Sequence, residues 1–360
     1  MTTRVLIMAG GTGGHVFPAL AVADELRAQQ CDVFWMGTES GIEARLVPAA
    51  GYPLTFIRVK GLRGNGLLGW LLAPFKLVKA VYEAIKAIKK LKPDVVLGMG
   101  GFASGPGGLA AWLLKTPVVI HEQNAIPGLT NRLLSNVAKQ VLEGFSQSFN
   151  TSRGAVWVGN PVRVSIESIA TPDSRFSNRT GPIRLLVLGG SLGARALNNV
   201  VPEAMGLANN SGLFEIKHQS GERLLSECQQ NYQGVKVKAE VTAFIDDMTS
   251  AYAWADLVVC RAGALTVAEL AASGVGALLI PYPYAVDDHQ THNAMALVTS
   301  GAAQLIQEDT LTADLLLKQL NIFVDNREKL LEMANAARSQ VKLGTAKVVA
   351  EICLKEVAHA

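Results

Sequence analysis

The sequence has 360 residues, 49% of them apolar, and a formal net charge of only +3. That is enough chain to fill two cores, and too balanced a charge for the total to name a partner. Its four cysteines, Cys31, Cys228, Cys260 and Cys353, form no CxxC pair and no His–Cys cluster, which excludes a disulfide framework and a zinc site and suits a reduced, cytosolic chain.

The first apolar run stops at glycines within a few residues, so no signal peptide is expected. Residues 95–114 are uncharged and long enough to cross a bilayer. They also hold Gly98, Gly100, Gly101, Gly105, Pro106, Gly107 and Gly108, which predicts a strand, a glycine loop and a buried helix instead. In chain order, strands are predicted at 4–8, 32–36, 54–58, 95–98, 117–120, 140–143 and 155–158. Helices are predicted at 14–29, 41–50, 73–91, 106–114 and 127–136. Such alternation argues for a parallel sheet covered on both faces. The polar stretch 165–182, with Pro172 and Pro182, reads as a crossing between domains. Beyond it the pattern repeats, with strands at 184–188, 214–218, 235–238, 257–260 and 277–280. Helices follow at 193–207, 222–230, 246–253, 266–273, 289–299, 312–320, 326–340 and 345–357.

Two strands run into glycine turns of one kind, Gly10-Gly11-Thr12-Gly13-Gly14-His15 and Gly189-Gly190-Ser191-Leu192-Gly193. Each brings a helix N-terminus to where a phosphate or sugar can approach. A dinucleotide fingerprint would need a third glycine at Val16; Glu39, after the second strand, stands where its ribose-binding acid would be. His15, at the start of its helix, is a candidate base or a helix-capping residue. Backbone amides in the cluster 98–108 could form an anion nest for a second phosphorylated ligand, or the glycines could serve strand–helix packing. His121-Glu122-Gln123-Asn124 places four polar residues at a strand's C-terminal end, the ligand edge of open α/β sheets. A polar turn capping the next helix is the alternative. In the second half, Arg261 to Glu269 forms a small-residue turn opening a helix, suited to a diphosphate. Glu269 then suits paired ribose hydroxyls, or simply the helix dipole. The loop 281–293 is rich in sugar-bonding groups, whereas Asp287, Asp288, His289 and His292 lack metal-site spacing, so no metal is expected. Finally, 61–92 carries Arg63 and six lysines against Glu83 alone, interleaved with Leu67, Leu68, Trp70, Leu71, Leu72, Phe75 and Leu77. Apolar residues flanked by Lys76 and Lys79 suit an anionic membrane surface, while part of the same helix must face a core.

These motifs resemble glycosyltransferase family 28, the bacterial peripheral-membrane enzymes that convert lipid I to lipid II. The resemblance spans nearly the whole chain and adds Gly-Leu-Arg-Gly at 61–64, Gly-Asn-Pro-Val-Arg at 159–163 and Phe-Ile-Asp-Asp-Met at 244–248. It implies an α/β, GT-B fold: two Rossmann-like doubly wound domains separated by a cleft. Residues 1–163 would be the acceptor- and membrane-binding domain and 164–341 the UDP-GlcNAc-binding domain, with helix 342–360 packing back on the first. It implies inverting, β-1,4 transfer of N-acetylglucosamine from UDP-GlcNAc to the 4-hydroxyl of the MurNAc-pentapeptide of lipid I, without a cofactor. The donor site would use Thr12, Gly13, Gly14, Asn124, Arg163, Ser191, Ile245, Ala264, Leu265, Thr266, Val267, Ala268, Glu269 and Gln290. Ile245 and Leu265 would hold uracil and Glu269 the ribose; Arg163, Ser191 and Thr266 would meet the diphosphate. His15 is the candidate base, with Glu122 as the alternative. Gly100, Gly101, Ser104 and Gly105 would hold the acceptor diphosphate. Some members carry paired glutamines where this chain has His289-Gln290, so the sugar contact rests on Gln290 alone or includes His289. The implied setting is the cytoplasmic face of the bacterial inner membrane, with an anionic surface and cell-wall synthesis proteins as partners and no nucleic acid.

Overall fold

A computed structural model describes residues 2–59, 66–190, 192–208 and 212–358; the side chains of 66–73 and of Val286 lie outside that description. The chain divides into two compact units, Met1–Arg163 with Gly344–Ala360, and Val164–Leu343.

The first unit holds a seven-stranded, wholly parallel sheet. Its strands are β1 (Arg4–Met8), β2 (Asp32–Gly37), β3 (Leu54–Phe56), β4 (Val95–Gly98), β5 (Val118–Glu122), β6 (Gln140–Glu143) and β7 (Val156–Trp157), in the order β3-β2-β1-β4-β5-β6-β7. β1, β4 and β5 are apolar almost throughout because helices cover both faces, so no polar alternation is needed. One face packs helix Gly13–Ala28 together with the last helix, Thr345–Ala358, through Val349, Ala350 and Cys353. Thr345 Oγ1 donates to the Val158 carbonyl at 3.0 Å, and Gln140 Nε2 donates to Glu356 Oε1 at 2.8 Å. The other face packs Ala84, Ala87 and Ile88 of helix Gly66–Leu91 with Ala110 and Ala111 of helix Ser104–Leu113.

The second unit repeats the plan with six parallel strands: β8 (Ile183–Leu188), β9 (Phe214–Gln219), β10 (Lys238–Thr242), β11 (Leu257–Cys260), β12 (Gly276–Leu279) and β13 (Ala303–Leu305), in the order β10-β9-β8-β11-β12-β13. In both sheets the order reverses beside the first strand, between β1 and β4 and between β8 and β11. Ligands of open α/β sheets bind at the strands' C-terminal ends at such switch points.

Three expectations are corrected. The strand expected at 235–238 lies at Lys238–Thr242, and β13 was not foreseen. The stretch 165–182 is no bare linker: Val164–Glu167 and Pro172–Phe176 are short helices of the second unit, the latter with proline at its start, where a missing N–H costs nothing. Arg175 donates to the carbonyls of Tyr252, Ser273 and Gly274. Burial lowers its guanidinium to about 10, with the neighbouring Arg179 adding to the effect. Arg179 pairs with buried Asp256, whose other oxygen accepts the Arg184 N–H at 2.9 Å.

Candidate active site

At the β1/β4 switch point two glycine turns touch. A Cβ on Gly101 would fall 2.3 Å from the Gly10 carbonyl oxygen, and one on Gly100 would fall 2.7 Å from His15 Cδ2. Both glycines also have positive φ, 86° and 95° respectively, where side chains are strained. Gly107 and Gly108 are required by packing, against Met8 and Leu134. Ser104 is fully buried, its hydroxyl 2.8 Å from the carbonyls of Met8 and Gly100, so it ties the turns together and has no face for a diphosphate. Gly105 stays half-buried.

Thr12 is the exposed N-cap of helix Gly13–Ala28, and His15 lies in its first turn. His15 Nδ1 is 3.2 Å from the Gly10 carbonyl and 3.4 Å from Thr12 Oγ1. Gly13 closes on Phe17, and the Arg163 guanidinium stands 5.8 Å from the Phe17 ring centre, so Arg163 is drawn toward this turn. Trp35 Nε1 holds the Ala9 carbonyl at 2.8 Å.

Glu39 is exposed, so the acid that meets the glycine turn is another, Glu43, unforeseen in the sequence. Its carboxylate is wholly buried and accepts from Gly11 N at 2.8 Å, Thr38 N at 2.9 Å and Thr38 Oγ1 at 2.7 Å. Two further glutamates at this sheet edge do similar work. Glu122 accepts from Asn124 N and Nδ2 through Oε1, and from Gly128 N and Asn131 Nδ2 through Oε2. Four donors on a buried carboxylate make a loop clamp, poorly placed to take a substrate proton. Glu143 accepts from Gln147 N and Phe149 N. His121, fully buried, donates from Nε2 to the Gly159 carbonyl at 2.8 Å and takes Gln123 Nε2 on Nδ1 at 3.1 Å. Burial lowers its pKa to about 4, so it is neutral. Of the polar quartet, then, three members are spent on the fold, and Asn124 alone is only half-buried.

The second unit sets its turns differently. Gly189 and Gly193 close on the backbone of Ala194, Gln219 and Ser220, and Gly221 closes on Gly193. Beneath them Asn198 Nδ2 donates to the Ser220 carbonyl at 3.0 Å. Asn198 Oδ1 meets His218 Nε2 at 3.0 Å, and the Tyr232 hydroxyl meets His218 Nδ1 at 2.9 Å. Burial lowers His218 to about 3. Gln219 Oε1 accepts the Ile245 N–H at 3.1 Å, so that backbone donor is already engaged. Gln290 Oε1 accepts from Ala262 N at 3.1 Å and Tyr282 N at 3.0 Å, so its carbonyl oxygen is spent on the fold.

Helix Ala264–Ser273 opens on Gly263 without a side-chain cap. Leu265, Thr266 and Ala268 are half-buried, and Ala264 and Val267 are buried. Glu269 lies beyond the first turn, 7% exposed, and accepts from the Tyr252 hydroxyl at 3.1 Å, which removes the simple helix-dipole explanation. Asp287 and Asp288 adopt φ of 52° and 50°; Thr291 Oγ1 donates to Asp288 Oδ1 at 2.7 Å and His292 Nδ1 to its carbonyl at 3.1 Å, while His289 begins the helix. Among the described residues no three His, Cys, Asp or Glu gather as a metal site. Ser191 lies outside the described residues, as do Arg63 and the side chains of Leu67, Leu68, Trp70 and Leu71.

Helix Gly66–Leu91 has two characters. Residues 74–79 are all exposed, Phe75 by 75% and Val78 by 68%, with Lys76 and Lys79 beside them. From Ala80 onward one stripe is core, while Tyr82 stays exposed. The adjoining helix Ser104–Leu113 exposes Trp112 and Leu113, which a reading of the lysine-rich segment alone could not supply. Among the described residues no helix is long and apolar enough to cross a membrane.

The chain matches the glycosyltransferase family 28 N-terminal domain over residues 5–143 and the family's C-terminal domain over 184–349. It is 54% identical, over 99% of both chains, to the UDP-N-acetylglucosamine--N-acetylmuramyl-(pentapeptide) pyrophosphoryl-undecaprenol N-acetylglucosamine transferase of Nitrosococcus oceani. The crystal structure of Acinetobacter baumannii MurG superposes with a TM-score of 0.83 at 43% identity, covering 98% of this chain and 99% of that one. The UDP-GlcNAc 2-epimerase of Neisseria meningitidis shares the fold alone, with a TM-score of 0.67 at 15% identity over 98% of this chain and 100% of that one. With both domain models matched in order and near-full-length identity above half, the chain belongs to glycosyltransferase family 28, with the GT-B fold of two Rossmann-like units.

Proposed function

We propose that the chain is a hexosyltransferase of peptidoglycan synthesis. It moves N-acetylglucosamine from UDP-GlcNAc to the 4-hydroxyl of the MurNAc-pentapeptide of lipid I and so makes lipid II. One observation carries this reading: a relative named for this transfer matches at 54% identity across 99% of both chains. In the inverting step the acceptor hydroxyl gives its proton to His15 Nε2 as its oxygen bonds the anomeric carbon. The bond from that carbon to the phosphate oxygen breaks, and UDP leaves with the electron pair.

The leaving diphosphate gains charge, which the N-terminus of helix Ala264–Ser273, with Thr266 and Ser191, stabilises in the second unit. Arg163 is the guanidinium that the resemblance assigns to the diphosphate. Glu269 takes the ribose hydroxyls, Leu265 and Ile245 the uracil, and the Gln290 amide nitrogen the sugar. Thr12, Gly13, Gly14 and Asn124 complete the donor contacts. With Ser104 committed to the fold, the acceptor diphosphate relies on backbone at Gly100, Gly101 and Gly105. The exposed Phe75 and Val78, flanked by Lys76 and Lys79, seat the protein on the anionic cytoplasmic face of the inner membrane.

The epimerase fold-likeness leaves a rival reaction that needs no lipid acceptor. Incubation with labelled UDP-GlcNAc and a lipid I analogue separates the two. Labelled disaccharide lipid is the expected product; labelled N-acetylmannosamine without lipid product would overturn the proposal.

A further inference from the structure

The Gly10–Gly11 peptide group is engaged at both ends. Its N–H donates to Glu43 Oε2 at 2.8 Å, and its carbonyl oxygen lies 3.2 Å from His15 Nδ1. A carbonyl only accepts, so Nδ1 carries the proton in that contact and the neutral ring keeps its lone pair on Nε2. Gly100 lies along that edge of the ring: a Cβ there would fall 2.9 Å from Nε2.

The seat for Glu43 is built with care. Cβ atoms on Gly10, Gly37 and Gly41 would fall 2.3, 2.6 and 1.9 Å from its side chain. Three glycines, one in the turn after β1, one ending β2 and one in the loop that follows, thus make room for one buried carboxylate. Thr38 occupies its other oxygen through both N–H and hydroxyl. Gly11 and Thr38 both meet it as donors, the pattern of a group that only accepts.

We propose that Glu43 is a positioning residue for His15, acting through the Gly10–Gly11 peptide. This rests on the reading of His15 as the base. The carboxylate fixes the peptide with its N–H toward the negative charge and its carbonyl toward the imidazole. Linked hydrogen bonds polarise one another. When His15 takes the acceptor proton on Nε2, the ring becomes a cation that still donates Nδ1–H to Gly10. The positive end of its own helix opposes that cation; the Glu43–peptide chain offsets the opposition and holds the ring in the competent tautomer. The arrangement has the logic of a carboxylate–imidazole pair with a peptide group placed between.

The test uses the full chain with UDP-GlcNAc and a lipid I analogue, comparing Glu43→Gln, Glu43→Asp and His15→Gln. Glutamine keeps the size and one accepting oxygen for Thr38 but presents an NH2 to the Gly11 N–H. Its kcat should fall about 10- to 100-fold, the worth of one charge-assisted hydrogen bond, with the donor KM changed less than about twofold. Aspartate, which keeps the charge and loses a methylene, should retain more of kcat than glutamine. A purely structural role predicts the reverse order, because glutamine is the closer fit in volume, and that order would overturn the proposal. Ring 15N shifts, assigned by loss of a signal in His15→Gln, should show Nδ1–H in the unaltered protein and a mixed tautomer in Glu43→Gln. An Nε2–H ring in the unaltered protein would overturn the proposal even if a variant failed to fold. If His15→Gln kept its turnover, the base reading itself would fall. If His15→Gln lost turnover while Glu43→Gln kept it, only the role of Glu43 would fall.

Discussion

The two units share a strand order yet clamp their ligand-edge loops with different chemistry. In the first, buried glutamates hold the loops: Glu43 on Gly11 and Thr38, Glu122 on Asn124 and Gly128, Glu143 on Gln147 and Phe149. In the second, glutamines accept backbone N–H groups: Gln219 from Ile245, and Gln290 from Ala262 and Tyr282. The geometry of acceptance is alike and the charge is not. A carboxylate accepts more strongly, but its field reaches beyond the bond it makes. In the proposed reaction, neutral clamps in the second unit add no negative charge beyond Glu269 near the diphosphate. Buried negative charge under the first would favour His15 becoming a cation in its proposed role as base.

One trait the units share sets the largest expected effect. Each keeps a fully buried neutral imidazole, His121 lowered to about 4 and His218 to about 3, both chiefly by desolvation. The unfolded chain titrates each near 6.5 and so binds more protons than the folded chain below that pH. Their contribution to stability is therefore complete above about pH 6.5. It is lost progressively as pH falls toward 4 for His121 and toward 3 for His218. A tenfold change in proton affinity between the folded and unfolded chain is worth about 1.4 kcal/mol, so each imidazole puts a few kcal/mol at stake. Urea melts between about pH 7.5 and 4.5 should show this slope, and His218→Gln should remove part of it. An unchanged slope in a folded His218→Gln protein would show that this imidazole is not held neutral.

The charge contrast is broken directly by Gln219→Glu. The oxygen that accepts Ile245 N is retained, so the fold should survive, but a further carboxylate joins Glu269 at the second edge. Donor affinity measured by calorimetry should drop about tenfold, the scale of one charge acting across several ångströms of partly screened protein. The loss should shrink with added salt. Unaltered affinity would mean that the neutrality of these clamps carries no function.

The strands flanking each glycine turn were legible because parallel strands covered on both faces read as continuous apolar runs. β13 was not, since Gln304 interrupts a three-residue strand. The helix Pro172–Phe176 is hidden in the sequence because Arg175, and Arg179 just after it, point at backbone carbonyls of the second unit, a target that sequence does not display. His121, Glu122 and Gln123 read as ligand groups for a related reason: polarity at a strand end looks the same whether it faces a sugar or a neighbouring loop. Glu43 left only an indirect trace. Its seat consists of absences, the missing Cβ atoms of Gly10, Gly37 and Gly41, and these converge only once β1 and β2 pair.

The smallest effect concerns an exposed surface on the first unit, the start of helix Gly66–Leu91. Phe75 and Val78 are three apart on one helix, exposed by 75% and 68%, so neither is held by the core. Replacing both by serine should leave the melting temperature within a degree or two, since exposed sites rarely contribute more than about 0.5 kcal/mol. Sedimentation with vesicles containing anionic lipid should nevertheless show binding reduced about three- to tenfold, because each side chain loses part of its apolar transfer energy. Replacing Lys76 and Lys79 by glutamine should cost about 1 kcal/mol per charge at low salt and much less at high salt. The serine variant's loss should persist at high salt. That difference in salt response separates an inserted apolar ridge from a charged helix that only hovers over the headgroups, and undiminished binding in both variants would show that this ridge is not the membrane contact.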